Sequence, residues 1–263
     1  LYILEADKVF VTLADGSENT LSNGGTFTAI DDNNIDAVIF SKQDLTFNGS
    51  GFLAVNSPAG HGIVCKDDLV ITGGAYTVTS SSHALNANDS VRITGETILT
   101  ANAGKDGIHS ENNDDTSLGF VYISGGTLDV ASEGDGISAA SYMQIEGGTL
   151  EILAGGGSEN GTKESSDNWG DFGGSRGGMG TMPGERGMGG EPGNMSSAPD
   201  DGGVSGDPGN MASQNMSTQS VSSETDEETT SMKGIKASGA MLISDGTFTI
   251  NSADDAVHSN TCV

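Results

Sequence analysis

Residues Gly119–Ile152 read GFVYISGGTLDVASEGDGISAASYMQIEGGTLEI, and the phrase YISGGTLDV at Tyr122–Val130 returns as QIEGGTLEI at Gln144–Ile152, with DGIS between the copies. Both phrases alternate apolar and polar residues on either side of a Gly-Gly step. Period-two alternation sends successive side chains to opposite faces of an extended strand, so each phrase reads as two short strands with one buried face.

The same phrase recurs outward in both directions. A polar residue followed by a small residue and an aliphatic opens each copy: DAVIFS at Asp36, HGIVCK at His61, HALNAN at His83, DGIHSE at Asp106, DGISAA at Asp135, KGIKAS at Lys233 and DAVHSN at Asp255. A second alternation follows (LTFNG, LVITGG, VRITG, VYISGG, MQIEGG, MLISDG), and a third comes directly after it (FLAV, AYTV, TILT, TLDV, TLEI, TFTI). The repeat is about 22 residues, inside the range of solenoid architectures. Superposing the copies gives three apolar columns. One holds Val38, Ile63, Leu85, Ile108, Ile137, Ile235 and Val257. The next holds Phe47, Ile71, Ile93, Ile123, Ile145 and Ile243, and the last holds Phe27, Leu53, Tyr76, Ile98, Leu128, Leu150 and Phe248.

Three short strands per repeat facing one interior predict an all-β fold, a parallel β-helix of about seven coils with three strands each. A β-sandwich would join its strands by hairpins and would not return one motif at a fixed period. A single coil cannot bury enough surface to persist, so the copies repeat in order to stack. VFVTL at Val9 and GGTFTAI at Gly24 read as an entry coil. The chain reads as one domain over residues 1–263, a piece of a longer protein cut within a repeat. Residues 155–230 form a Gly-, Met-, Ser- and acid-rich insertion in a coil turn, without periodicity and expected to be disordered. The repeat resumes after it at Lys233 in the register it left.

Ten Lys and Arg against 37 Asp and Glu give a net charge of −27. Such a surface repels nucleic acid and anionic lipid and attracts divalent cations. Cys65 and Cys262 fit neither a disulfide framework nor a zinc site. No apolar run reaches the roughly 18 residues of a membrane span.

Stacking turns the repeat start into a row: Asp36, His61, His83, Asp106, Asp135, Lys233, Asp255. Equivalent residues on adjacent coils lie about 4.8 Å apart. At that distance Asp106 and Asp135 repel by roughly 3.5 kcal/mol at an effective dielectric of about 20. They need solvation, hydrogen bonds from turn amides, or a bridging cation. Ca²⁺, a hard ion that takes oxygen ligands, suits Asp106 and Asp135 with Glu133, the SENNDDTS turn with Asp114 and Asp115, and the Asp254–Asp255 pair. The competing reading for each is turn capping by Asp and Asn. His61 and His83 are neighbours in the row but lack a third ligand. SEGDGIS and DDNNIDA each miss the repeat or the distal ligand of the calcium loops they approach.

β-Elimination of a uronate polymer is the reaction class to weigh on this architecture, and it needs a Lys or Arg base beside a metal. Lys105, next to Asp106, is the nearest candidate, but flanking carboxylates turn it toward salt-bridging into the acidic rim. Outward positions that could meet a polymer are Arg92, Tyr122 and Gln144 on the second strand, and Asn86, His109 and Ser138 on the first.

The copies HGIVCKDDLVITGG, DGIHSENND with VYISGGTLDV, and KGIKASGAMLISDGTFTINSADDAVHSN resemble the carbohydrate-binding domain family of polysaccharide-lyase-like β-helix proteins secreted by clostridia and related bacteria. The resemblance runs from about Val9 onward and includes the Gly/Met-rich insertion before KGIKA. It implies a right-handed winding, an extracellular or cell-surface location, affinity for cellulose and acidic pectin, calcium at coil turns, and no established catalysis. The DGI starts at Asp106 and Asp135 match the family phrase, whereas His61 and His83 depart from it. The expected function is non-catalytic binding of plant cell-wall polysaccharide, calcium-assisted. The alternatives are a polysaccharide lyase and a structural or adhesin segment. The expected partner is a polysaccharide, with no nucleic acid and no membrane insertion; self-association into a homo-oligomer is left open.

Overall fold

A computed structural model describes residues 1–27, 35–161 and 231–261. The chain enters through β1 (Tyr2–Ile3), β2 (Val9–Leu13) and β3 (Glu18–Ser22). It then repeats a triplet: β4 (Ala37–Ser41), β5 (Leu45–Gly49), β6 (Phe52–Ser57); β7 (His61–Cys65), β8 (Asp68–Ile71), β9 (Ala75–Ser80); β10 (Leu85–Ala87), β11 (Ser90–Ile93), β12 (Ile98–Ala103). From β13 (Ile108–Ser110) onward the second and third strands run together, as β14 (Phe120–Ser132) and, after β15 (Ile137–Ala139), as β16 (Met143–Ala154). β17 (Ile235–Ser252) carries all three segments of its repeat, and β18 (Val257–Thr261) begins the next.

Every ladder is parallel, and each strand pairs with its counterpart one repeat away. The first ladder runs β1, β4, β7, β10, β13, β15, the start of β17, β18. The second runs β2, β5, β8, β11 and then the first halves of β14 and β16. The third runs β3, β6, β9, β12 and then their second halves. The result is an all-β parallel solenoid wound around one interior. Between the second and third segments the chain bends at a glycine of positive φ, Gly126 at 96° and Gly148 at 107°, a region closed to most side chains. The Gly-Gly step of the repeated phrase supplies that bend.

The second apolar column is as expected: Phe47, Ile71, Ile93, Ile123, Ile145 and Ile243 are consecutive register partners. The other two need corrections. Ile39, not Val38, pairs with Ile63 at the head of the first column. All five residues of β4 are buried, so its sequence offers no alternation to fix the phase. In the third column Leu99, not Ile98, stands between Tyr76 and Leu128. Ile98 is 54% exposed. A one-residue slip exchanges faces, and two adjacent aliphatics disguise it. Phe27 is likewise outside the column, because Leu53 pairs with Asn19 of β3, a strand the alternation did not reveal.

Across the long insertion the register is kept: Ile137 pairs with Ile235 and Met143 with Met241. Of the expected insertion, Gly155–Gly161 leave β16 through a short 3-10 turn at Ser158–Asn160. Residues 162–230, and Cys262, lie outside the described residues. Cys65 is a buried inward residue of β7, and burial pushes its thiol up to about 12, leaving a packing group. Among the described residues no helix is long and apolar enough to cross a membrane.

Candidate functional site

A serine at the end of the third strand shapes the turn that delivers the repeat-start row to the first sheet. Ser57, Ser80, Ser132 and Ser252 each donate their hydroxyl to the carbonyl two residues ahead. Three row residues then bond to the next coil. His83 Nδ1 accepts the Asp106 N–H at 3.1 Å, Asp106 Oδ1 accepts the Asp135 N–H at 2.8 Å, and Asp135 Oδ1 accepts the Lys233 N–H at 2.7 Å. After Asp106 and Asp135 a glycine allows this closeness, and after His83 the small Ala84 stands in its place. A Cβ on Gly136 would meet Ile152 Cγ2 at 2.3 Å and the Gly234 carbonyl oxygen at 2.5 Å.

The imidazoles continue the row as a stack. His61 and His83 lie 5.1 Å apart and His83 and His109 4.7 Å apart, all within 15° of parallel. Asp106 Oδ2 is 3.6 Å from His83 Nδ1 and 3.1 Å from His109 Nδ1. Burial lowers the His83 pKa to about 4, with His109 adding to the effect, so His83 is neutral and its Nδ1 is an acceptor. Burial alone would raise the Asp106 carboxyl. His109, His83 and the Asp135 amide outweigh it and hold the carboxyl below its ordinary range.

Around the stack runs a groove of about 780 Å³ lined by Asp36, Lys42, His61, Lys66, His83 and Lys105 among others. It meets a second hollow of about 710 Å³ at His83 and Lys105, which Lys236 also lines. Four of the chain's ten Lys and Arg therefore gather on this one face of a molecule of net charge −27. Lys66 is tied to Glu111 at 2.7 Å and Lys236 to Asp135 at 3.1 Å. Lys42 and Lys105 have no ion-pair partner among the described residues; the salt bridge expected of Lys105 is not formed. Lys42 and Lys66 follow β4 and β7 on one bank, and Lys105 precedes β13 on the other.

The expected contact residues divide between two sheets. Asn86 and His109 are register partners on the first ladder, followed by Ser138 and Lys236. Asn86 is buried beneath Glu111, to which its amide donates at 3.1 Å. Arg92 and Tyr122 are partners on the second ladder. Arg92 reaches Asp68 at 3.4 Å and lies 5.0 Å over the Phe120 ring, which stacks on Tyr142. The Tyr122 hydroxyl donates to Glu146 at 2.6 Å.

The acids of the row do not fit calcium, which takes about six to eight oxygens. Asp106 Oδ2 faces two nitrogens. Asp135 is 1% exposed and is used by the Lys233 amide and the Lys236 ammonium. Asp254 pairs with Lys233 and Asp255 with His258. Glu133 is exposed at the rim of the second hollow. Asp114 and Asp115 sit in a separate exposed turn built on Asn112, with Asp115 capping Ser117. The lysine banks and the joining of His109 to His83 were not anticipated. The phrases IFSK and IVCK, with Lys at matching positions, carried the signal for the first bank.

A family model described as carbohydrate-binding domain-containing protein matches residues 1–263. A protein of Acetivibrio thermocellus described in the same words is 42% identical over 80 residues, which is 30% of this chain and 28% of that protein. A solved structure of the polysaccharide lyase-like protein from C. thermocellum, a gadolinium derivative, is similar with a TM-score of 0.56 and 37% identity, over 59% of this chain and 63% of the other. The match thus spans less than a third of the curated relative and under two thirds of the solved chain. With its whole length matched, the chain belongs to the carbohydrate-binding domain-containing protein family.

Proposed function

We propose that this chain is a non-catalytic module that holds an acidic cell-wall polysaccharide of the pectin type along the outer face of the first sheet, outside the cell. The solenoid, right-handed and of about seven coils in this reading, presents that face as a straight track suited to an extended polymer. One observation carries the proposal: Lys42 and Lys105 face the groove with no ion-pair partner among the described residues, in a chain where acids outnumber bases by 37 to ten. Cations left uncompensated amid so much negative charge are placed for an anion that arrives from outside. Direct ammonium–carboxylate contacts then take over the role that calcium bridging would otherwise fill. The His stack between the banks presents its polar ring edges to sugar hydroxyls.

Retention on immobilised polygalacturonate tests this. The chain is retained with or without EDTA, retention falls with added salt, and the Lys42→Ala/Lys105→Ala double variant binds at least about tenfold more weakly, roughly 1.4 kcal/mol. Unchanged binding by the double variant, or no retention of the parent, overturns the reading. The solved neighbour is described as polysaccharide lyase-like, which favours a second reading. Unsaturated product released from polygalacturonate, and lost in Lys105→Ala, would establish that one instead.

A further inference from the structure

We infer that His83, Asp106 and His109 form a binding site for a divalent transition ion of the zinc class, open to the second hollow. The candidate ligand atoms lie within 4.8 Å of one another, the one such group among the described residues. Tetrahedral zinc holds its ligands at about 2.0–2.1 Å, which sets neighbouring ligand atoms about 3.3 Å apart. The two distances from Asp106 Oδ2 to the imidazoles, 3.1 and 3.6 Å, bracket that edge length.

The donors are also in the right state. His109 Nδ1 is closed off from solvent, and its contact with Asp106 Oδ2 at 3.1 Å falls short of a well-formed hydrogen bond. A buried nitrogen without a partner is costly, and a metal ion relieves it. His83 Nδ1 is an acceptor that holds the Asp106 amide, so binding an ion there requires that amide to be released and the parallel rings to turn toward each other. Two nitrogens and one oxygen select zinc, nickel or copper(II) over calcium or magnesium. Three protein ligands leave a fourth position, which faces the hollow shared by His83, Asp106, His109 and Lys105. Water, or a hydroxyl or carboxylate of a bound glycan, can take it.

This site goes beyond the polysaccharide reading and does not depend on the lysine banks. The test is calorimetric titration of the full chain, freed of metal with EDTA, with Zn²⁺, Ni²⁺ and Ca²⁺, alongside the visible spectrum of the Co²⁺ form. The expected result is one Zn²⁺ per chain that Ca²⁺ does not displace, an intense four-coordinate Co²⁺ spectrum, and at least a tenfold weaker affinity in His109→Ala. Asp106→Asn should weaken it as well, with unchanged far-UV circular dichroism for both variants. Affinity untouched by His109→Ala, absence of stoichiometric Zn²⁺ binding, or displacement by equimolar Ca²⁺ overturns the inference. Retention on polygalacturonate without metal is read separately and reports only on the groove.

Discussion

The Asp106 carboxylate accepts the main-chain N–H of Asp135 at 2.8 Å, so a row that looks like stacked negative charge is a row of hydrogen-bond acceptors joining one coil to the next. The repulsion expected of two carboxylates at the strand spacing is met by turn amides and by the Lys236 ammonium, 3.1 Å from Asp135. His83 performs the same step one coil earlier with a nitrogen in place of an oxygen. The departure from the DGI phrase at His83 therefore preserves the bond and changes only the accepting atom.

Removing that acceptor has a defined cost. Asp106→Ala leaves the Asp135 amide unsatisfied inside the stack and should lower unfolding stability by about 1.5–3 kcal/mol, the range for hydrogen bonds to charged groups. Asp106→Asn keeps an accepting oxygen and should lose well under half as much. Urea denaturation of both variants separates the outcomes. Equal losses would mean that charge, not the amide bond, is what Asp106 contributes.

Asp67 shows the opposite situation, an acid that its surroundings penalise. Burial raises its pKa, and the like charges of Asp44 and Asp89 push it further the same way. A folded-state pKa above the unfolded value means the folded state holds the proton more tightly. Stability therefore declines as pH rises from about 4 through the raised pKa and is regained on acidification. Asp67→Asn should raise the melting temperature at pH 7, and the gain should shrink toward zero below about pH 4. A variant that melts lower than the parent at pH 7 would show that this corner needs its charge.

The winding was legible because Phe47, Ile93, Ile123 and Ile145 each sit alone between polar neighbours, and period two then leaves one choice of face, which fixes Ile71 beside Val70 as well. It blurred where aliphatics run together, at Val38–Ile39 and Ile98–Leu99, since either phase buries an apolar residue. The candidate site was half legible for a related reason. Repeat spacing places Asp106 beside Asp135 and Asn86 beside His109, because those are register relations. The stacking of His109 on His83 crosses registers, from the fourth position of one copy to the first of its neighbour, and depends on side-chain reach. That Lys42 and Lys105 have no ion-pair partner among the described residues is likewise a fact of three dimensions. Sequence counts charges, while the fold decides which of them meet.

The register correction at Ile98–Leu99 yields the sharpest contrast between adjacent residues. Leu99 is 1% exposed and sits between Tyr76 and Leu128, whereas Ile98 points outward at 54% exposure between Ala75 and Thr127. Leu99→Ala removes buried methyl groups and leaves a cavity in a stack whose spacing is fixed by backbone bonds, so the walls cannot collapse inward. It should cost about 2–5 kcal/mol. Ile98→Ala should change stability by about 0.5 kcal/mol or less, as surface substitutions do. Chemical denaturation of the two single variants under identical conditions distinguishes the registers. Were Ile98→Ala the more damaging change, the third ladder would be out of phase by one residue and its whole inner face would have to be reassigned.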